Sequence, residues 1–201
     1  MLCLSESIRP DDPSLQQGLQ TAYSAANLTE LIVAAWALAR VMAVQVVESV
    51  LREWASCPTP WPPCPECGRA LHSKGFAKRE VKSLLGVIRW RRRVGRCPEG
   101  CEIGQVAPLD EALGLEPYQR SSGELQYLGC SLAVFVPYAT AARLLRWYSA
   151  SSVSARAVWC WTQAAGARAL SALQSQLEAL ASGQEPKEEA PEQELKRAPL
   201  P

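Results

Sequence analysis

Two cysteine pairs constrain the fold of this sequence more than any other feature. Cys64 and Cys67 enclose Pro-Glu and precede Gly68, and Cys97 and Cys101 enclose Pro-Glu-Gly after a gap of 29 residues. Two tight turns of this kind can aim four thiolates at a tetrahedral Zn²⁺, and their glycines relax the backbone. Disulfide pairing is the alternative, but it is typical of secreted domains, and the first residues do not form a signal peptide. The spacing predicts a structural zinc site with these four ligands.

The segment between the pairs is strongly basic. Residues 68–96 hold ten lysines and arginines and one acid, Glu80, although the 201-residue chain has a net charge of only +1. Residues 125–177 hold four arginines and no acid, whereas acids are concentrated at 99–124 and from Glu178 onward. Two basic blocks in a near-neutral chain indicate a polyanionic partner, most simply nucleic acid. The partner that we expect is double-stranded DNA.

Alternating side chains predict a β-hairpin between the cysteine pairs. Strands over 77–83 and 87–94 would be joined by a turn at Leu85-Gly86, and residues 57–105 would form a zinc ribbon. Alternation places cations about 7 Å apart along one strand face. That face suits phosphates, and a merely solvated surface is the alternative. The residues expected to bind DNA phosphates there are Lys78, Lys82, Arg89, Arg91 and Arg93. Cys57 and His72 are possible substitute metal ligands that we expect to be bystanders.

The chain before the ribbon divides into two segments. Residues 1–26 are polar and irregular and are expected to be a disordered leader. Residues 27–56 form a long helix, with Asn27 and Glu30 as a capping-box-like start. Its stretch 31–44 is almost wholly apolar, so we expect it to be buried against the rest of the chain or a second copy. Arg40 interrupts this run, which is shorter than the ~18 residues of a membrane span. We therefore expect no membrane insertion and a cytoplasmic protein.

Two connectors flank the ribbon. Prolines from Pro58 to Pro65 stiffen the first, which contains Trp61, either a lid on the ribbon or helix or a platform for stacked bases. The second, residues 106–120, is acidic and contains at most one helical turn. Its Asp110 and Glu111 are expected to be solvated rather than catalytic.

Residues 121–181 are expected to be helical. Helices over 122–135, 137–149 and 154–165 are indicated by capping residues and by a break at 149–152. A helix, a short turn and a capped helix with Arg156 in its first turn match the helix-turn-helix plan, in which Arg156 reads a base. A plain helical hairpin is the alternative. We expect three tryptophans to lie in the core: Trp147, Trp159 and Trp161.

The end of the chain offers a second surface for pairing. Leu170, Leu173, Leu177 and Leu180 repeat at coiled-coil spacing, so a homodimer could form through 167–181 or through the long helix at 28–55. Residues 182–201 have the composition of a disordered tail. The fold class expected for the whole chain is α+β, mainly α, with a small ribbon between a long helix and a helix-turn-helix-like region.

Several motifs, taken in order, resemble the N-terminal region of ISKra-type insertion-sequence transposases. They are Cys64-Pro-Glu-Cys67-Gly68, Leu85-Gly86-Val87-Ile-Arg89, the second cysteine pair, Pro108-Leu-Asp-Glu-Ala-Leu-Gly114-Leu, Val136-Pro-Tyr-Ala139 and Val153-Ser-Ala-Arg-Ala-Val158-Trp159. The resemblance covers residues 28–166. It implies recognition of element-end DNA by these regions, and strand cleavage by a later RNase-H-like domain with three metal-binding carboxylates.

The sequence leads to two functional hypotheses. The first is the DNA-binding portion of a transposase, with no catalytic residue in this chain, no activity alone, and Mg²⁺ needed only if a catalytic domain is supplied separately. The second is a stand-alone zinc-ribbon DNA-binding regulator. A decayed gene product without a retained role is a third possibility.

Overall fold

The computed structural model describes residues 11–182 as an α+β fold that is mostly helical. Within this range lie six helices and one two-stranded antiparallel sheet. In chain order the elements are α1 (Pro13–Tyr23), α2 (Leu28–Ser56), β1 (His72–Lys82), β2 (Val87–Arg96), α3 (Pro108–Ala112), α4 (Gly123–Phe135), α5 (Tyr138–Tyr148) and α6 (Ala155–Ala181). The tail expected to be disordered lies outside the described residues from 183 onward, as do residues 1–10 of the leader.

The first helix corrects the expectation of a disordered leader. Asp12 caps α1 by accepting a hydrogen bond from the N–H of Ser14 at 2.8 Å, and Pro13 occupies the first turn. Proline in that position starts a helix because its missing N–H would have no partner there. Leu15 is buried, and Gly18 lies against Leu38 of α2. The docking of α1 on α2 therefore stabilises a segment whose local sequence looks irregular.

The long helix begins and ends as predicted, but its apolar first half is not buried in the chain. Asn27 caps α2 through its side-chain oxygen, which accepts from the N–H of Glu30 at 3.0 Å. Ala34 is buried, whereas large side chains around it are exposed: Leu28, Leu31, Ile32, Val33 and Trp36. Burial against the rest of the chain is thus wrong for this half. Contact with a second copy stays a prediction.

α2 is long and apolar enough to cross a membrane by length and composition alone, with a mean hydropathy of 1.8 in its best window. Its contacts restrict that reading. Arg40 Nη1 donates to the carbonyl of Tyr148 at 3.1 Å, Glu48 accepts from the N–H of Arg89 at 2.7 Å, and Leu51 is in a core. Residues 28–39 precede these contacts and form about 18 Å of helix, which is shorter than the hydrocarbon core of a bilayer at about 30 Å. A span would require this packing to separate.

The β-hairpin has the predicted turn and the predicted division of its faces. Each strand is longer than expected, and the register pairs Lys78 with Arg91 and Glu80 with Arg89. Directly opposed residues share a face, so these charged side chains lie together. On the other face Val81 and Trp90 are buried against α2 and the residues around α3. This arrangement gives the hairpin one charged face and one apolar face.

The acidic connector packs closely against the hairpin. Its carboxylate Asp110 is buried, with Arg92 Nε at 2.9 and 3.1 Å from its two oxygens and Arg79 Nε at 3.6 Å. Leu109, Leu113 and Leu115 pack on the apolar face. A solvated Asp110 is therefore wrong, because the two arginines compensate its charge. Its neighbour Glu111 is exposed, as predicted.

The last three helices pack around one core, and two of the three tryptophans predicted to lie in that core are outside it. Leu125, Leu145 and Val158 are fully buried at its centre. Trp161 packs against this core, but Trp147 is 78% exposed and Trp159 is 44% exposed. Helical spacing explains the difference, because Trp147 lies two positions from buried Leu145 and so points away from the core.

The third of these helices does not stop at 165. It runs through the exposed Gly166 to Ala181 and leaves the four heptad leucines more than half exposed. The pairing surface proposed for 167–181 is therefore accessible. A homodimer through either segment stays a prediction.

Candidate metal centre and nucleic-acid surface

The four predicted cysteines come together at the open end of the hairpin. The Sγ atoms of Cys64, Cys67, Cys97 and Cys101 all lie within 4.8 Å of one another, and Cys67 Sγ is 3.4 Å from Cys97 Sγ. All four are free thiols. Four sulfurs converging on a common centre, two of them on buried residues, could hold a metal ion.

Backbone turns account for this convergence. The N–H of Gly68 donates to the carbonyl of Cys64 at 2.8 Å, and the N–H of Gly100 donates to the carbonyl of Cys97 at 3.4 Å. Gly68 and Gly100 have φ values of 72° and 76°, a region in which a side chain would be strained. The two turns are closed differently, since the first hydrogen bond spans four residues and the second spans three, but each uses a glycine with positive φ.

A small apolar cluster covers the cysteines, and Trp61 belongs to it. Leu71 is buried with Cys64 and Cys97, and Trp61, Ile103 and Val106 pack around them. A Cβ on Gly95 would lie 2.3 Å from Trp61 Cζ3, so the indole packs directly on the β2 backbone. The structure favours the lid interpretation of Trp61 over a stacking platform.

The contact between Cys97 and Cys101 shifts the pKa values of these two thiols in opposite directions. Burial opposes ionisation of Cys97, but hydrogen bonds from the N–H of Glu99 and from neighbouring thiols outweigh it and lower the pKa of Cys97 to about 7. The hydrogen bond from Cys101 to Cys97, together with burial, raises the pKa of Cys101. A metal ion must therefore displace protons from the cluster, and its affinity should fall as the pH is lowered.

The possible substitute ligands lie apart from this centre. Cys57 is exposed and its Sγ is 3.6 Å from the carbonyl of Glu53, and His72 is exposed on β1. Within residues 11–182, the four cysteines are the one set of three or more His, Cys, Asp or Glu side chains placed to share an ion.

The predicted phosphate-binding residues divide into two groups. Lys78, Arg89, Arg91 and Arg93 share the charged face of the hairpin, where Arg89 Nε is paired with Glu80 at 2.9 Å. Lys82 lies on the same face at the turn end, but its Nζ donates to the carbonyl of Ser152 at 2.6 Å. Lys82 thus links the hairpin to the loop before α6.

Sequence reasoning missed Phe76, which lies among these cations. The Cζ atoms of Arg91 and Arg93 lie 5.8 and 5.3 Å from the centre of its ring. The residue is opposite Arg93 in the register and 48% exposed. Continuing the strand alternation from Lys78 back by two residues would have identified it.

Arg156 is exposed in the first turn of α6, where the prediction placed it. Ser154 caps this helix by accepting from the N–H of Ala157 at 3.1 Å. The loop before the cap is fixed to the hairpin turn, since buried Ser151 donates to the carbonyl of Ser83 at 3.0 Å. The charged face of the hairpin and the start of α6 are therefore joined at the turn.

This arrangement combines a four-thiol centre, a cationic strand face and an exposed arginine at a helix start. Neither the family models nor the curated proteins compared with this chain gave a match.

Proposed function

We propose that this chain binds double-stranded DNA through a zinc-stabilised ribbon and the start of α6, as the N-terminal portion of a transposase would at element ends. The observation that carries the proposal is the charged face of the hairpin. There Lys78, Arg89, Arg91 and Arg93 stand together with Glu80 as the one acid of the paired strand positions. A face with this excess of cations attracts phosphates.

The metal in this proposal is Zn²⁺. It is bound by four thiolates in closed structural sites, and a tetrahedron with Zn–S bonds of about 2.3 Å has sulfur–sulfur edges of about 3.8 Å. The four sulfurs, mutually within 4.8 Å, need only small shifts to reach that geometry. Zinc would hold the two cysteine turns together and thereby keep the cationic strands in register.

The cations on the ribbon are suited to phosphate contact rather than to reading sequence. Lys78 and Arg91 are exposed, and neither side chain makes an ion pair with an acid in the described chain. Side chains that alternate along a strand can follow a phosphate backbone, and such contacts position a protein on DNA without selecting a sequence.

Arg156 is the residue proposed to read a base. It is exposed in the first turn of a helix that is anchored at its start, which is the part of a recognition helix that meets base edges. A guanidinium can bind guanine through two hydrogen bonds, which contribute about 1–3 kcal/mol of discrimination.

The test is a pair of DNA titrations at several salt concentrations, with a duplex selected from a random library and its scrambled counterpart. Arg91→Gln should weaken binding to both duplexes alike and reduce the log–log salt slope by about one. Arg156→Ala should weaken binding to the selected duplex more than to the scrambled one.

Arg168→Ala is the control, because this exposed arginine lies on the projecting part of α6. Salt-independent binding, or no binding to either duplex, would contradict the proposed function. Equal losses on both duplexes for Arg156→Ala would leave a DNA-binding ribbon but remove the base-reading role.

A further inference from the structure

A cleft of about 660 Å³ opens between the C-terminal half of α2 and the charged side of the hairpin. Small-ligand sites typically have volumes of about 300–1,000 Å³, so the cleft is large enough for one nucleotide. Its walls include Arg52 from the helix and Phe76, Lys78 and Arg91 from the strands. The cleft therefore combines an aromatic ring with cations.

The acids in the cleft are already engaged. Glu48 accepts from the backbone N–H of Arg89, and Glu80 accepts from the side chain of the same residue. The cations around Phe76 are not neutralised in this way. No ion pair to Lys78, Arg52 or Arg91 occurs within residues 11–182. The cleft thus keeps positive charge that an anionic ligand can meet.

The ring of Phe76 supplies the second part of a nucleotide site. It is about half exposed, and the guanidinium groups of Arg91 and Arg93 lie within 6 Å of its centre. Arg93 Nε is buried and has no hydrogen-bond partner within the described chain. A base can stack on an aromatic ring or on a guanidinium plane, and its phosphates can pair with the surrounding cations.

Paired bases cannot enter such a cleft, because each is held in the duplex by its partner and its stacked neighbours. An unpaired nucleotide in a single-stranded extension can enter singly and has its faces free. We propose that this cleft holds one unpaired nucleotide of bound DNA, with the base against Phe76 and the phosphates near Lys78 and Arg91. The inference rests on the proposed DNA-binding function and adds a preference for DNA with an unpaired end.

The test compares three duplexes of one sequence by fluorescence anisotropy with the full chain, whose metal content is measured first. One is blunt, one carries a short single-stranded extension, and one carries an extension of abasic sugar-phosphate units. The abasic extension keeps the charge and removes the bases. Because stacking on an aromatic residue is worth about tenfold in affinity, the normal extension should bind about tenfold more tightly than the abasic one.

Phe76→Ala should abolish this preference. Its affinity for the blunt duplex should stay within about twofold of the unsubstituted protein, since phosphate contacts supply most of that affinity. Phe76→Tyr keeps a stacking ring and should keep the preference. Phe135→Ala removes another exposed ring, at the end of α4, and should also keep the preference.

The outcomes separate the two proposals. Binding of all three duplexes with equal affinity would overturn the unpaired-nucleotide site and leave DNA binding intact. A preference that persists in Phe76→Ala would place the base elsewhere and overturn the assignment to this cleft. Failure of every duplex to bind would remove the proposed function itself.

Discussion

The two ends of the β-hairpin are stabilised by different chemistry. At the open end, four sulfurs converge under a small apolar cluster centred on Leu71. At the turn end, hydrogen bonds connect Ser83 and Lys82 to the loop before α6 and to Ser122. On the proposal made above, the first end depends on a bound metal ion, whereas the second is held by hydrogen bonds to the helical part of the chain. Their difference predicts which substitutions will affect the whole hairpin and which will loosen only one end.

The largest effect should follow the loss of one sulfur. Cys97→Ala should abolish zinc binding and expose the amides of residues 60–105 near the cysteine turns, since structural zinc contributes on the order of 10 kcal/mol in small modules. The α4–α6 core should keep its protection, because its cluster of buried residues is separate from the cluster that contains Cys64 and Cys97. Elemental analysis and amide hydrogen exchange would measure both.

Cys57→Ala is the matched control, because Cys57 is exposed and outside the cluster. It should bind metal with unchanged stoichiometry. Full amide protection around Leu71 in metal-free Cys97→Ala would show that the apolar cluster alone holds this end together.

The sequence predicted the cysteine cluster at the open end of the hairpin and the position of its turn, but not the contacts that hold the turn end to the helices. Cysteine spacing is a local signal, and strand alternation within 77–94 gave the two faces. The contacts of the turn end join residues far apart in the chain, such as Ser83 with Ser151, and their serines carry no pattern that identifies them. Likewise, Asp110 resembled a solvated acid until two arginines of the hairpin were found around it.

The same limit explains the errors at α1 and α2. Helix α1 is stabilised by docking on α2, which no periodicity in residues 1–26 revealed. The apolar run of α2 correctly predicted a helix, but composition cannot distinguish burial in the chain from exposure to a partner. Trp147 and Phe76 are different cases, because helical spacing from Leu145 and strand alternation from Lys78 would have placed both side chains correctly.

The next largest effect should come from the middle of the hairpin. Asp110→Asn removes the charge that compensates Arg92 and Arg79, whose side chains are about nine-tenths buried. Breaking a buried pair on one side costs about 3–5 kcal/mol. Urea unfolding followed by circular dichroism should show this loss.

The neighbouring substitution Glu111→Gln alters an exposed carboxylate and should change the free energy of unfolding by less than about 0.5 kcal/mol. Similar small losses for both variants would mean that the Asp110 ion pair contributes little beyond its packing.

A smaller effect is expected at the turn end from Ser151→Ala. The hydroxyl donates to the carbonyl of Ser83 in a fully buried position, so its removal leaves that acceptor without this donor at a cost of about 1–3 kcal/mol. Hydrogen exchange should increase at the hairpin turn but not at the cysteine turns. The adjacent Ser152→Ala, at an exposed position, should be nearly neutral; equal effects would contradict the importance of the buried bond.

The smallest effect on stability is expected from two lysines of one strand face, of which one should matter for stability and the other for DNA binding. Lys82→Met removes the Nζ hydrogen bond to the carbonyl of Ser152 and should cost about 0.5–1.5 kcal/mol, since the side chain is half-buried. Lys78→Met, four residues earlier on the same face, should leave stability within about 0.5 kcal/mol. In DNA titrations the order should reverse. Lys78→Met should reduce the salt slope by about one, while Lys82→Met should hardly change it. Equal salt slopes for the two variants would mean that Lys82 leaves Ser152 to contact phosphate when DNA binds.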